Sequence, residues 1–375
     1  MRQGKLMAGI YVHIPFCHSK CTYCDFFSTP FAERFAGKYV SALENEYHSR
    51  RCELAGYVTT IYIGGGTPSS IDRSLLERLF DFLPADGIDE YTIEVNPEDV
   101  NDDFALWLKN DTPVSRVSMG VQSLDDSVLR TIGRRHTAAG AIDAYKALKS
   151  VGLDVSLDLI YGLPGQDMRS WRSSLEKVLE LKPEHLSCYL LSYEPGTRLT
   201  AMKQAGRISE ATDTEIMAMY DVLTQKTSRA GYEHYEISNF ALPGHRAMHN
   251  SSYWNLTPYL GLGTGAHSFD GQIRRFNPND IRKYIECGGT GFAVAEEENL
   301  SERYNDYIIT SLRTDSGLDM KLIEKLFGLS RAEETARKTA AFVKAGKMWR
   351  NGDRAGIVER HWLTSDAIML EFIEV

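Results

Sequence analysis

The stretch Tyr11-Val12-His13-Ile14-Pro15-Phe16-Cys17-His18-Ser19-Lys20-Cys21-Thr22-Tyr23-Cys24-Asp25-Phe26 carries three cysteines at CxxxCxxC spacing. A short loop so spaced can set three thiolates round one corner of a cubane [4Fe-4S] cluster and leave the fourth iron open to a small molecule. Zinc would need a fourth thiolate or imidazole. His13 and His18 are at hand, but neither supplies the paired CxxC spacing of structural zinc sites, and inert cysteines are the remaining alternative. Cys52, Cys188 and Cys287 stand far apart and build no second motif.

Other residues able to do chemistry recur where apolar runs stop. Val58 to Ile63 ends in Gly64-Gly65-Gly66-Thr67-Pro68-Ser69-Ser70, where missing Cβ atoms would let backbone N–H groups approach a bound carboxylate. Alone, the same triplet reads equally as a tight turn, and it lacks the spacing and lysine of a phosphate loop. Glu94 and Asn96, Gln122 and Ser123, Asp158, and Tyr189 to Glu194 follow the same rule. Asp158 interrupts Leu157-Asp158-Leu159-Ile160-Tyr161, where a carboxylate without a partner is costly, so it meets either a ligand or a structural hydrogen bond. Glu94 has the same two readings. Arg134 and Arg135 could answer these carboxylates or a ligand's, or form a solvated pair. Pro243 to Trp254 reads as a loop crowding two imidazoles, an arginine and two aromatic rings. It could hold a large planar ligand, with His249 giving an axial nitrogen to iron and Arg246 pairing with a carboxylate. By composition alone, local hydrogen bonds at His249 and Asn250 with Trp254 sealing a seam are the better reading. Gly261 to Ser268 is again glycine-rich; Arg274, Arg275 and Asn277 after it could read propionates or close a surface loop.

The elements that must position these groups follow from periodicity. Strands are expected at Ile10–Phe16, Val58–Ile63, Tyr91–Val95, Arg116–Val121, Val155–Ile160 and His185–Leu191. Helices alternate with them, among them Phe31–Leu54, with Lys38, Glu44 and Glu46 on solvated flanks, and Met168–Leu181. Six strand-helix alternations without hairpin turns predict an α/β fold, a partial (β/α)6 barrel whose chemistry gathers at the C-terminal strand ends. After Pro195-Gly196-Thr197 the repeat ends, with a helix over Glu210–Arg229 and one strand over Tyr232–Phe240. Beyond Glu296 come helices at Glu302–Leu312, Asp319–Phe327 and Arg331–Lys344 and short segments Ile357-Val358 and Trp362-Leu363, a small helical, winged-helix-like domain packing over the barrel mouth. The division is 1–200 for the barrel, 201–295 for an extension with the His249 segment, and 296–375 for the C-terminal domain.

Composition bounds the setting. With 375 residues, 25% charged, 43% hydrophobic and net charge −9, the chain is expected to be soluble and not a general nucleic-acid binder. Met1 to Gly9 has Arg2 and Lys5 but no apolar run, and no stretch of about 18 apolar residues occurs, so neither signal peptide nor membrane span is expected. The cytoplasm follows, where clustered thiols stay reduced.

Cys17, Cys21 and Cys24 together with Gly64-Gly65-Gly66-Thr67-Pro68 and the partial barrel resemble the radical S-adenosylmethionine enzymes. Within them, Tyr11 to Phe16, Gly120-Val121-Gln122-Ser123 and Asp158 to Gln166 resemble the oxygen-independent coproporphyrinogen-III-oxidase-like group. True oxidases have a further cysteine two residues after the third ligand and a longer N-terminal extension; here that residue is Phe26, and the extension is lacking. HemW-type haem chaperones are similar to this chain in both respects and share His249-Asn250-Ser251-Ser252-Tyr253-Trp254. The resemblance implies a [4Fe-4S] cluster on the three cysteines. It implies S-adenosylmethionine among Tyr11, Tyr23, Gly65, Gly66, Thr67, Glu94, Gln122, Arg134 and Asp158, with a second molecule only if the oxidase arrangement survives, and it implies haem at His249. As partners it implies haem, a haem-acceptor protein such as a respiratory haemoprotein, and an electron donor for the cluster; a homodimer is compatible with it. The function so implied is haem binding and transfer, with radical oxidative decarboxylation of coproporphyrinogen III as the alternative.

Overall fold

Alternation along the strands builds the barrel. In the computed structural model, which describes residues 7–29, 33–54 and 56–374, six parallel strands run as β1 (Met7–Ile14), β2 (Tyr57–Gly65), β3 (Glu90–Val95), β4 (Arg116–Gln122), β5 (Asp154–Tyr161) and β6 (His185–Leu190). One residue in two is apolar and buried: Ile10, Val12 and Ile14; Ile61 and Ile63; Val117 and Met119; Val155, Leu157 and Leu159. The crossover helices are α1 (Glu33–Arg50), α2 (Arg73–Phe82), α3 (Asp102–Asp111), α4 (Asp126–Thr131), α5 (Ala138–Ser150) and α6 (Met168–Leu181); all but α4 join these strands in one core, and α4 packs Val128 and Leu129 into a small separate cluster with Ile132, Ile160 and Leu163. The other half of each alternation, Tyr11 and His13, Thr60 and Tyr62, Thr92 and Glu94, Arg116 and Ser118, Ser156 and Asp158, faces the barrel interior, because successive side chains point to opposite faces. The start of the helix expected from Phe31 and the stretch with Arg2 and Lys5 lie outside the described residues.

The sheet continues past the barrel on both sides. A seventh parallel strand, Tyr259–Leu262, pairs with β1, and three short antiparallel strands extend it at His267–Phe269, Arg274–Phe276 and Val294–Glu296. On the far side the single strand expected over 232–240 is a hairpin, β7 (Glu233–Glu236) and β8 (Asn239–Ala241), lying antiparallel on β6. Its turn is made by side chains, since Glu236 accepts hydrogen bonds from Ser238 N and Asn239 Nδ2. The first two helices of this region are α7 (Arg198–Gln204) and α8 (Asp213–Arg229). The expected loop of the His249 segment is instead a helix, α9 (Met248–Trp254), whose first N–H groups are capped by the distant Glu90: its carboxylate accepts from Met248 N at 2.8 Å and His249 N at 3.0 Å. Because Glu90 opens β3, α9 closes the N-terminal end of the strands, opposite the cysteine loop. The extension strands are β9 (Tyr259–Leu262), β10 (His267–Phe269), β11 (Arg274–Phe276) and β12 (Val294–Glu296), with α10 (Ile281–Glu286) between the last two.

The C-terminal unit is winged-helix-like: α11 (Leu300–Leu312), β13 (Leu318–Asp319), α12 (Met320–Phe327), α13 (Leu329–Lys344), β14 (Met348–Asn351), β15 (Arg354–Ile357) and α14 (Ser365–Met369), its three strands forming an antiparallel sheet. Trp362 belongs to a 3-10 turn, not a strand. It meets His234 edge-on at 4.5 Å, and Ile237 N donates to Arg313 O, so this unit docks on the β7–β8 hairpin and not over the mouth as expected.

Glu46 also departs from expectation. It is 0% exposed, not on a solvated flank, and its carboxylate accepts from Arg50, Asn277, Tyr284 and Gly263 N at 2.6–2.8 Å. A buried charge so fully answered ties α1 to the loop between β9 and β10.

Candidate functional site

The cysteine loop leaves β1 and is pinned from three directions. Cys17 N donates to Thr29 O, Thr22 N to Ile132 O, and Leu199 N to Thr22 O. The glycine segment clasps its root, with Gly66 N donating to Ile14 O and Thr67 N to Phe16 O, both at 2.8 Å. Side chains are barred there: a Cβ on Gly66 would lie 2.7 Å from Phe16 O and 3.0 Å from Cys17 Sγ, and one on Gly65, at φ +112°, 2.5 Å from the His13 ring. These glycines therefore serve the packing of His13 and Cys17, and the N–H groups expected to meet a bound carboxylate are taken, Gly65 N by Glu94 Oε2 and Gly66 N by Ile14 O.

Cys17, Cys21 and Cys24 rim a cavity of about 360 Å³, within the range of small-molecule sites, whose wall also includes Tyr23, Gly65, Gly66, Thr67, Glu94, Gln122, Arg134 and Asp158. Of the expected cofactor residues Tyr11 and His249 alone are absent from it. A hydrogen-bonded chain runs along one side: Arg134 Nη1 donates to Cys21 Sγ at 3.5 Å, Arg134 Nη2 to Asn96 Oδ1 at 2.8 Å and to Gly120 O, Asn96 Nδ2 to Thr67 Oγ1, and Thr67 Oγ1 to Cys17 Sγ. Arg134 Nε is buried without an acceptor among the described residues, a donor left for a ligand. Gln122, at φ +63°, sits on a bulge in β4 that turns it into the cavity. Deeper in, burial pushes the Glu94 carboxyl up to about 7 despite hydrogen bonds from Tyr62 OH and Gly65 N, and pushes Asp158 up to about 6. Burial likewise raises the Cys17 thiol, and Cys24 to about 11. Among the described residues no three His, Cys, Asp or Glu side chains converge on a single-ion site. Cys188 is buried under the sheet and Cys52 and Cys287 are exposed, so none joins the loop cysteines.

Behind this cavity stands an aromatic wall. Tyr62 lies 6.1 Å from Tyr11 and stacks on His249 at 5.4 Å, and His249 meets Tyr253 edge-on at 5.2 Å. The His249 imidazole is 1% exposed, and both its nitrogens are engaged, Nδ1 with Thr60 Oγ1 at 2.9 Å and Nε2 with Tyr253 OH at 2.8 Å. Burial, and next the Arg116 guanidinium, pull it down to about 3, so it is neutral near pH 7. Arg246 does not sit with it; it pairs with Glu233 and Asp315. On the far side of the wall Tyr11, Tyr253, Trp254, Tyr259, Phe269 and His267 enclose a second cavity of about 350 Å³. Tyr62, Tyr259 and Phe269 are the residues that sequence reasoning passed over; the signal was the shared strand face, since Tyr11 pairs with Gly261 and Gly9 with Tyr259.

The Radical SAM superfamily profile matches residues 11–178, the span that holds the end of β1, the cysteine loop and strands β2 to β5. The chain is similar to the "Heme chaperone HemW" of Lactococcus lactis subsp. lactis (strain IL1403), 31% identical with 97% of this chain and 96% of the relative covered, and to that of Bacillus subtilis (strain 168), 33% identical with 86% and 88% covered. The chain belongs to the HemW/HemN family of radical SAM proteins. Its fold is that of the family: the coproporphyrinogen III oxidase HemN from Escherichia coli superposes with a TM-score of 0.82 over 98% of this chain and 90% of that one, at 24% identity. No helix among the described residues is long and apolar enough to cross a membrane.

Proposed function

We propose that the protein is a haem chaperone that carries a [4Fe-4S] cluster on Cys17, Cys21 and Cys24, binds S-adenosylmethionine beside it, and passes haem to an acceptor protein. The observation that carries this reading is the second, aromatic cavity built by α9 and β9–β10 directly behind the cysteine cavity. Flat apolar walls suit a planar tetrapyrrole as cargo, and the HemW relatives are named haem chaperones. Three thiols rimming one cavity are the donor set a [4Fe-4S] cluster with one open iron requires. For S-adenosylmethionine the residues supply Arg134 Nε for its polar end, the Gly65–Thr67 segment beside the cysteines, Gln122 and Glu94 deeper in, and Tyr23 and Asp158 on the wall. When bound, cluster and S-adenosylmethionine supply one-electron reductive cleavage of a carbon–sulfur bond, giving methionine and a 5'-deoxyadenosyl radical. The chain's own part is to hold the thiolates apart, orient the polar end and exclude water. The reading requires a reducing compartment, the cytoplasm, and an electron donor.

The test is an anaerobic titration of cluster-reconstituted protein with haem, followed by mixing with an apo-haemoprotein. Saturable binding and transfer are expected. Absence of both, with coproporphyrinogen converted in step with 5'-deoxyadenosine, would instead identify an oxidase.

A further inference from the structure

Resting on the S-adenosylmethionine reading of the cysteine cavity, we infer that His136 is a positioning residue of that site. Bridging Glu98 and the Val121 carbonyl, it holds Gln122 in the backbone turn that sets the Gln122 amide on the cavity wall. Gln122 needs such a holder. With φ at +63° and Ser123 N donating back to Val121 O at 2.8 Å, it is the centre of a γ-turn of the hand that L side chains resist. A residue in so sparse a conformation stays there only where its surroundings over-determine it.

His136 supplies that determination from the segment leading into α5. Its ring is buried, and Nε2 stands 3.1 Å from Val121 O. A carbonyl only accepts, so Nε2 carries the hydrogen and Nδ1 turns to Glu98 Oε2 at 3.4 Å. Burial works to raise the Glu98 carboxyl, yet the His136 imidazole beside it, with the Arg134 cation nearby, leaves it below its usual range. Each part of this bridge is next to a cavity residue in the chain: Glu98 follows Asn96 by two, Val121 precedes Gln122, and His136 follows Arg134 by two. The three cavity side chains meet in the wall itself. Arg134 Nη2 donates to Asn96 Oδ1 at 2.8 Å, and a Cβ on Gly120 would lie 2.8 Å from Gln122 Nε2 and 3.2 Å from Arg134 Nη2. One buried imidazole behind the wall therefore sets the spacing of the polar groups in front of it.

The test measures S-adenosylmethionine binding to cluster-loaded wild type, His136→Gln, His136→Asn, Gln122→Gly and the double variant His136→Asn with Gln122→Gly. Equilibrium dialysis and the electron paramagnetic resonance spectrum of the reduced cluster are the readouts. The glutamine amide reaches the Val121 carbonyl as Nε2 does; the asparagine amide, one methylene shorter, does not. His136→Asn is expected to weaken binding about tenfold, the effect of one lost buried hydrogen bond, with iron content and far-ultraviolet dichroism unchanged, and His136→Gln to stay within about threefold of wild type. In the Gln122→Gly background, where glycine takes the turn unaided, adding His136→Asn should cost less than about twofold. Equal affinities of His136→Asn and wild type, equal losses in His136→Asn and His136→Gln, or full additivity with Gln122→Gly each overturn the inference and leave the reading of the cavity standing. So does loss of the cluster from His136→Asn, which would make the ring a part of the fold alone. If wild type binds no S-adenosylmethionine saturably, that reading falls and the inference with it.

Discussion

Replacing His249 by glutamine should remove a defined share of the protein's acid sensitivity. In the folded chain the imidazole is held neutral down to about pH 3, because it is enclosed between Thr60, Tyr62 and Tyr253 with the Arg116 cation nearby. In the unfolded chain it titrates near 6.5. The folded value is depressed, so the unfolded state binds more protons in acid, and stability from this residue falls as pH drops through 6.5 toward 3. Between pH 7 and pH 5 the difference is the cost of protonating the unfolded imidazole alone, about 2 kcal/mol, and it does not change for any folded value below about 4.5. His185, enclosed between Ser156 and Tyr235 and also pulled down by burial, acts in the same direction but cancels in the comparison of wild type with variant. Urea-unfolding free energies of both proteins in the same state of loading, at pH 7 and pH 5, provide the assay. Wild type should lose about 2 kcal/mol more than His249→Gln over that interval. Parallel losses would refute the claim that the ring is sealed and neutral.

Two further outcomes follow from the cysteine cavity. Gly66→Ala drives a methyl group against Phe16 O and Cys17 Sγ, so iron and acid-labile sulfide after reconstitution should fall by more than half while far-ultraviolet dichroism stays unchanged; full loading would contradict the close packing. Glu94 is the reverse of His249 in sign: its folded value is raised to about 7, so the stability it lends in acid is lost as pH rises from 4.5 through 7, on the order of 3 kcal/mol, and Glu94→Gln should flatten that slope in the same unfolding assay.

The barrel was legible because its signals are local. Met168–Leu181 is a helix to the residue, with Asp167 capping Ser170 N, and each strand announces itself by an apolar run stopped by glycine, proline or a polar residue. Of the polar residues at those stops Glu94, Asn96, Gln122 and Asp158 line one cavity, because parallel strands bring their C-terminal ends together, while Ser123 is buried outside it. What escaped depends on partners far away in sequence. α9 is helical through Glu90, 158 residues before Met248. Glu46 looks like a solvated flank until Tyr284, 238 residues on, donates to it. Tyr11 shares its strand with the cysteine loop, yet it points into the other cavity because the wall formed by Tyr62 and His249 stands between them. The 232–240 alternation is real, but Glu236 folds it into a hairpin.

The pairing of β1 with β9 gives the molecule an order of birth. β1 is made before the other described strands, yet one of its two edges has no partner until Tyr259–Leu262 have been made. An unpaired parallel edge is an invitation to mispairing during synthesis. The strand that feeds Cys17 is therefore finished only when about two thirds of the chain exists, and the seam that closes it simultaneously creates the floor of the second cavity. The strand that carries the cysteine loop and the wall of the second cavity thus share one seam, closed by residues distant in sequence from both cysteines and glycine clasp.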